Sequence, residues 1–233
     1  MCALPETRQT VSSAGSAGDP WSWQEYEHPG TLVPKLGEPF GPFDSLLDVG
    51  GGGGTVGLGV WRVSSIYVLD TFPPKTTPKN FRLGDALDLV KLYGAKSFDI
   101  AQCAEVIEHL PKEKGPLLLA ALEAVAKRLV IITTPNGFSE QDPALSPHEP
   151  WADNPYQKHL CGYTPEEFAE RGYSILLNGG PGIGAQIIAW KDVRPKSADT
   201  PTVAAVTPRQ PTHQTRARQG RPPWAGRRKP ARG

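Results

Sequence analysis

Residues 46–57 read LLDVGGGGGTVG, five consecutive glycines directly behind a short apolar run that contains an aspartate. Glycine in the interior of a helix or strand is destabilising, so such a run must be a loop. It is useful only where the backbone turns with φ > 0, or where something must lie against the chain with no Cβ in the way. The residues before it, SLLDV (45–49), form a continuous apolar run that reads as a buried strand. The chain therefore leaves a buried strand through a loop of nearly bare backbone, and few folds accommodate that exit.

Strand-like and helix-like stretches alternate beyond the glycines. A short helix is expected over 55–62, a second strand over 65–69 (SIYVL), a brief third strand over 81–83 and one or two helical turns over 86–93. The crossover between the second and third strands, TFPPKTTPKN, carries three prolines and is expected to be a loop with no helix. A fourth strand is expected over 97–103 (SFDIAQC), a helix over 112–127 with Leu117, Leu118, Ala121, Leu122 and Val125 at helical spacing, and a fifth strand over 128–133 (RLVIIT). Residues 135–163 form a long proline-rich connection. Thr164 with Glu167 three residues on reads as a capping box that starts a helix. Two last strands, 173–177 and 185–190, flank NGGPGIG and predict a hairpin. The expected fold is α/β: a doubly wound, mostly parallel sheet of seven strands with an antiparallel C-terminal hairpin. Ligands of such sheets bind beyond the carboxyl ends of the strands, where the strand order reverses.

Composition sets the domain limits. Gly and Pro, 25 each in 233 residues, are in excess, and hydrophobic residues reach only 38%. The excess concentrates at the ends. Residues 1–20 read as a loose leader with no charged and apolar signal pattern, and 193–233 as a disordered, basic, Pro/Arg-rich tail. One catalytic-size domain, 21–192, remains between them. Residues 191–233 carry a net charge of +9, which leaves about −8 on the rest of the chain. A basic tail can touch nucleic acid, and the same composition also arises from compositional drift. Three cysteines with no CxxC pair argue against a disulfide framework or a zinc knuckle and fit a reducing, cytoplasmic setting. No apolar run is long enough to predict a membrane span.

A strand, a glycine loop, a helix and an acid about twenty positions on is a nucleotide-binding arrangement, and Asp70 closes the second strand twenty residues after Gly50. A carboxylate there accepts both ribose hydroxyl protons. The loop alone does not separate a nicotinamide cofactor from S-adenosylmethionine. Asp48 tips the choice: a carboxylate inside the strand end repels a pyrophosphate but suits a ligand bearing an ammonium and a sulfonium. The acid of GDALDL (84–89) can accept the exocyclic amine of adenine.

These segments resemble the ordered motifs of class I S-adenosylmethionine-dependent methyltransferases, of the type 11/23 kind. LDVGGGGG is similar to the glycine motif, VLD to the ribose motif, GDA to the adenine motif, FDIAQCAEVIEHL to the fourth-strand motif and RLVIITTPNG to the fifth. The resemblance spans about residues 46–190 and implies a Rossmann-like methyltransferase sheet. It implies cofactor contacts from Asp48, Gly50, Gly52, Asp70, Asp85 and Ala86. The chain departs from the pattern in its all-glycine loop, its short second crossover and the missing K-P-G-G turn before the fifth strand.

Methyl transfer from a sulfonium is an in-line displacement that needs placement, exclusion of water and, for a hydroxyl acceptor, a base. In EVIEHL, Glu105, Glu108 and His109 stand at i, i+3 and i+4, which one helical turn would put on one face. His109 is the expected base with Glu105 beside it; Asn136 and His159 are expected to meet the substrate. Small-RNA 3′-end 2′-O-methyltransferases have a similar E-x-x-E-H with a distant His, and there the set binds a metal. That resemblance offers Glu105, Glu108, His109 and His159 as a divalent-metal set. Methyltransferases of small molecules carry the same motif without a metal. The loop 138–163, with His148, Trp151 and Tyr156, is a candidate lid, and Trp21, Trp23, Tyr26 and His28 a candidate flap over the cofactor. The expected activity is O-methylation of a small-molecule acceptor. The alternatives are a metal-assisted RNA 3′-terminal 2′-O-methyltransferase and a non-catalytic cofactor-binding or interaction module. The acceptor and the oligomeric state are not legible.

Overall fold

A computed structural model of the chain describes residues 21–52, 62–149, 151–182 and 184–195. The expected leader, nearly all of the expected helix over 55–62 and all but the first residues of the expected tail lie outside the described residues. Eight strands form one sheet: β1 (Ser22–Gln24), β2 (Ser45–Val49), β3 (Ser65–Asp70), β4 (Phe81–Leu83), β5 (Phe98–Ala104), β6 (Ala126–Pro135), β7 (Ser174–Asn178) and β8 (Gln186–Asp192). Their order is β1-β7-β8-β6-β5-β2-β3-β4. Every pairing is parallel except those of β8 with β6 and β7, which run antiparallel. The expected α/β sheet and its terminal hairpin are both present.

Alternation along the strands sends side chains to two cores. One face buries Leu47, Val49, Ala101, Cys103, Val130, Ile132, Ile187 and Ala189 under α2 (Leu89–Tyr93), α3 (Gly115–Val125) and α4 (Pro165–Ala169). The other buries Leu46, Ile100, Leu129, Ile131 and Ile188 against Leu32 and Val33 of α1 (Pro29–Gly37). Along α3 the buried residues are Leu118, Leu119, Leu122 and Val125, the stripe one face of a helix presents to a core. Leu117, placed on that stripe from the sequence, is 60% exposed instead. The expected helix over 112–127 is shorter: a 3₁₀ turn spans Lys112–Lys114, and β6 starts at Ala126. Pro116 in the first turn suits a helix start, where its missing N–H has no partner to lose. The Thr164–Glu167 capping box is formed, and the 71–80 crossover holds no helix.

The eighth strand is the main departure. β1 adds in parallel to the outer edge of β7, and α1 follows it, its start capped by His28 Nδ1, which accepts the Gly30 N–H at 3.1 Å. Four strands separate β1 from β2. Trp21 and Trp23 therefore sit away from the glycine loop rather than over it. Trp21 and Trp23 pack on the core beneath α4 instead, and Trp21 Nε1 donates to Glu166.

Candidate functional site

β2 and β5 lie side by side at the centre of the sheet, and the strand order reverses between them. Two groups of polar side chains gather at their carboxyl ends.

The first group surrounds the glycine turn. Gly50 (φ 75°) and Gly52 (φ 51°) both sit in the left-handed region that favours glycine. The Gly50 N–H donates to Leu69 O at 2.7 Å, and the Gly52 N–H to Asp70 Oδ2 at 2.9 Å. The turn is thereby tied to the end of β3. A Cβ on Gly51 would stand 2.3 Å from Asp48 Oδ2, so the Asp48 carboxylate lies directly under bare backbone. Asp48 is 1% exposed. Its Oδ1 accepts from Gln102 Nε2 at 3.1 Å, its register partner on β5, while its buried Oδ2 has no hydrogen bond. Burial pushes its pKa up to about 7, against the Gln102 bond, and Asp70 adds to the rise. Asp70 also accepts the Phe72 N–H through Oδ1 at 2.8 Å, so each of its oxygens keeps a lone pair for a ligand hydroxyl. Beyond β4, Asp85 caps a 3₁₀ turn through the Leu87 N–H at 2.8 Å and stands exposed next to buried Ala86. The structure thus brings Asp48, Gly50, Gly52 and Asp70 together, with Asp85 and Ala86 two strands over. Gln102, buried in an apolar strand opposite Asp48, escaped the sequence reading. The signal was there: two polar residues in two buried strands need one another.

The second group follows β5. The helical turn expected to align Glu105, Glu108 and His109 is absent. Glu105 adopts φ 53°, and only a 3₁₀ turn, Ile107–His109, comes after it. The residues converge by another route. The Glu108 backbone carbonyl accepts the Leu160 N–H at 2.8 Å, which pins the His159 segment against the turn. The His109 and His159 rings meet edge to face with centroids 4.7 Å apart. Glu108, His109 and His159 each offer a ligand atom within 4.8 Å of the others. Glu105 is outside that trio, although its carboxylate acts on Glu108. Glu108 is 1% exposed; Oε2 accepts from Thr134 Oγ1 at 2.9 Å, and Oε1 has no hydrogen bond. Burial raises its pKa well above the carboxylate range, and the Glu105 charge adds to this. Nδ1 of His109 faces Lys158 O at 3.1 Å and Nδ1 of His159 faces Ser139 O at 2.6 Å. A carbonyl can only accept, so each Nδ1 carries a proton, and in the neutral ring Nε2 keeps the lone pair. Burial lowers the His109 pKa from 6.5, against the Lys158 and Glu105 carbonyls, and His159 adds to the lowering. Its imidazole is neutral near pH 7.

Asn136 has a structural part besides the one expected. Its Nδ2 donates to Gly182 O at 2.7 Å and its backbone carbonyl accepts the Gly184 N–H, so it holds the hairpin turn and keeps one side-chain N–H and Oδ1 for other partners. Phe138 and Tyr156 in the 138–163 loop are each 57% exposed. The loop reaches back toward the second crossover, where Lys75 and Asp153 approach to 3.5 Å; both are exposed, so the pair adds little energy. Among the described residues no helix is long and apolar enough to cross a membrane.

The chain matches no family model and no curated protein. Solved structures do match. The Burkholderia thailandensis 1,6-didemethyltoxoflavin-N1-methyltransferase, solved with its acceptor and S-adenosylhomocysteine, is 16% identical over 72% of this chain and 77% of its own, with a TM-score of 0.51. The YcgJ protein of Bacillus subtilis is 15% identical over 72% of this chain and 99% of its own, also at 0.51. The methyltransferase domain of a bacterial Hen1 is 20% identical over 69% of this chain and 95% of its own, but at 0.44 it superposes too loosely to bear on the acceptor. On topology and on these likenesses, the chain has the fold of class I S-adenosylmethionine-dependent methyltransferases.

Proposed function

We propose that residues 21–192 form an S-adenosylmethionine-dependent methyltransferase domain that methylates an oxygen of a small-molecule acceptor. The observation that carries this reading is the unpartnered Asp48 Oδ2, buried beneath a turn that no Cβ obstructs. A buried carboxylate oxygen without a partner is costly unless a ligand brings positive charge to it. When bound, the cofactor supplies a methyl carbon on a sulfonium, open to in-line displacement. Asp48 and the turn at Gly50 and Gly52 hold its methionine end. Asp70 accepts the ribose hydroxyls, and Asp85 beside Ala86 takes the adenine amine. His109, neutral at Nε2, accepts the proton of the acceptor hydroxyl, and Glu105 orients the acceptor. Calorimetric titration of the full chain with S-adenosylhomocysteine tests the reading. Micromolar affinity is expected; a folded chain that binds none leaves only the interaction-module alternative. Replacing Asp70 by Ala removes a charged acceptor of two hydroxyls, a loss of roughly 1.5–3 kcal/mol, so the affinity should fall by about tenfold or more. An unchanged affinity in a folded Asp70→Ala chain would remove the ribose assignment.

A second reading has its own support. Both imidazoles of the Glu108, His109 and His159 trio donate Nδ1–H to backbone carbonyls, the arrangement that orients metal-ligating histidines. Glu108 Oε1 is buried without a partner. These residues fit a divalent cation held by two Nε2 atoms and one carboxylate, which would polarise an acceptor hydroxyl. The RNA-terminus alternative calls for such a site. Manganese binding followed by paramagnetic resonance is the check: Glu108→Gln and His159→Ala should each abolish it with S-adenosylhomocysteine affinity unchanged. Wild-type chain that takes up no manganese rules the second reading out.

A further inference from the structure

Glu105 stands at the carboxyl end of β5, at the mouth of the acceptor site, on a backbone that does not place it well by itself. Its φ of 53° is a conformation that costs an L residue roughly 1–2 kcal/mol. It is also exposed, so packing does not fix its side chain. Its direction is imposed from outside. Glu105 Oε1 accepts two hydrogen bonds, from Thr133 Oγ1 at 2.8 Å and from Gln186 Nε2 at 2.7 Å. Both donors hold the same oxygen, which leaves Oε2 untied by either.

Gln186 is in turn oriented by a chain of contacts that crosses the sheet. Asn178 Nδ2 donates to Gln186 Oε1 at 3.1 Å. Asn178 is fully buried and bonded on its other side to the backbone of Glu27: the Glu27 N–H donates to Asn178 Oδ1 at 2.9 Å, and Asn178 Nδ2 donates to Glu27 O at 2.8 Å. The polarity of a backbone N–H is never ambiguous, so this contact settles both amides. Asn178 Oδ1 must face Glu27 N, and its Nδ2 must face Gln186. Gln186 then presents Oε1 to Asn178 and is left with Nε2 for Glu105. Gln24, Asn178, Gln186 and Pro135 are successive register partners across β1, β7, β8 and β6 at the carboxyl edge.

We propose that Gln186 is a positioning residue for the Glu105 carboxylate, set by Asn178 and by the backbone just after β1. The N-terminal strand thus takes part in arranging the acceptor site from the far edge of the sheet. A substrate role for Glu105 rests on the methyltransferase reading; the hydrogen-bond relay itself does not.

The test uses the full chain with isotope-labelled glutamine and asparagine side-chain amides. In wild type, the Gln186 amide protons should resonate downfield, as bonds to a carboxylate require. Glu105→Gln should move them, and so should Asn178→Asp, although Asn178 touches neither Glu105 nor the acceptor site. Gln186→Leu, a variant with a bonded neighbour lost but no buried charge added, carries the functional arm. It should keep its melting temperature to within a few degrees and its S-adenosylhomocysteine affinity. Its rate of methyl transfer from labelled S-adenosylmethionine to acceptors in a cell extract should fall by roughly tenfold or more, since misplacing a site group by about 1 Å can cost about 100-fold. Gln186 resonances unmoved by Glu105→Gln, or wild-type transfer by a folded Gln186→Leu chain, overturn the proposal. A wild-type chain that binds no S-adenosylhomocysteine removes the methyltransferase reading, and the amide resonances still decide the relay.

Discussion

Gly50→Ala should destabilise the chain by about 2–5 kcal/mol and abolish cofactor binding. Two costs combine. At φ 75° an alanine sits in the left-handed region, at roughly 1–2 kcal/mol. The added methyl would also stand 2.2 Å from Val106 Cγ2, an overlap that must be relieved by moving Val106 or the turn, typically at about 1–3 kcal/mol. The two costs can be separated. Val106→Ala removes the obstructing methyl, so the double variant should recover the steric part while the dihedral part remains. Urea unfolding of the four chains in that cycle should show a favourable coupling of about 1 kcal/mol or more. A Gly50→Ala chain within about 0.5 kcal/mol of wild type, the range of an ordinary surface change, would mean that the turn is not built as described.

Asp48→Asn should have the opposite sign for stability. Below about pH 4 the Asp48 carboxyl is protonated in both folded and unfolded chains and carries no penalty. Between there and about 7, the unfolded chain gives up the proton while burial makes the folded chain retain it, so wild-type stability declines as pH rises. Above 7 the full penalty stands: about three pKa units, or up to about 4 kcal/mol at 1.36 kcal/mol each. An asparagine never ionises, and its carbonyl can still accept from Gln102. The variant should match wild type near pH 4 and melt on the order of 10 °C higher at pH 8, at a few degrees per kcal/mol for a domain of this size. It should also bind cofactor more weakly, because the negative charge aimed at the methionine end is gone. Melting curves at the two pH values, with and without S-adenosylhomocysteine, read both effects. Equal melting temperatures at pH 8 would refute the burial argument for Asp48.

Local pattern gave the sheet almost entirely. The runs at 45–49 and 81–83 are strands at those bounds, and the hairpin and the Thr164 cap came from period and turn chemistry alone. The cluster of Asp48, Gly50, Gly52 and Asp70 was legible for the same reason: its residues lie within a few positions of the strand ends that carry them. What escaped is non-local. β1 exists because β7 offers an edge, and three residues, SWQ, give no periodic signal for that. After Glu105, whose φ of 53° is not helical, the His109 N–H bonds Val106 O in a 3₁₀ turn, and the Glu108 carbonyl is claimed by Leu160 from 52 positions downstream. The bond from Asn136 to the Gly182 carbonyl was not legible, because that carbonyl arrives only when the hairpin closes. Thr133, Thr134 and Gln186 are ordinary strand residues in sequence, and only the parallel pairing of β5 with β6 and the antiparallel pairing of β6 with β8 make them partners of two carboxylates.

The placement of β1 has a further effect on how copies of the chain meet one another. An uncovered strand is a row of open donors and acceptors that any extended segment can join. β7 runs Ser174–Asn178 with the apolar sequence Ile175, Leu176 and Leu177 at its middle, and β1 occupies its outer side. The opposite border of the sheet is β4, only three residues long, with Arg82 within it. The borders of the sheet are thus β1 and β4, both only three residues long and therefore poor templates, and the longer apolar β7 is covered. Loss of β1 should therefore show first as self-association through β7, at protein concentrations where the sheet itself still holds.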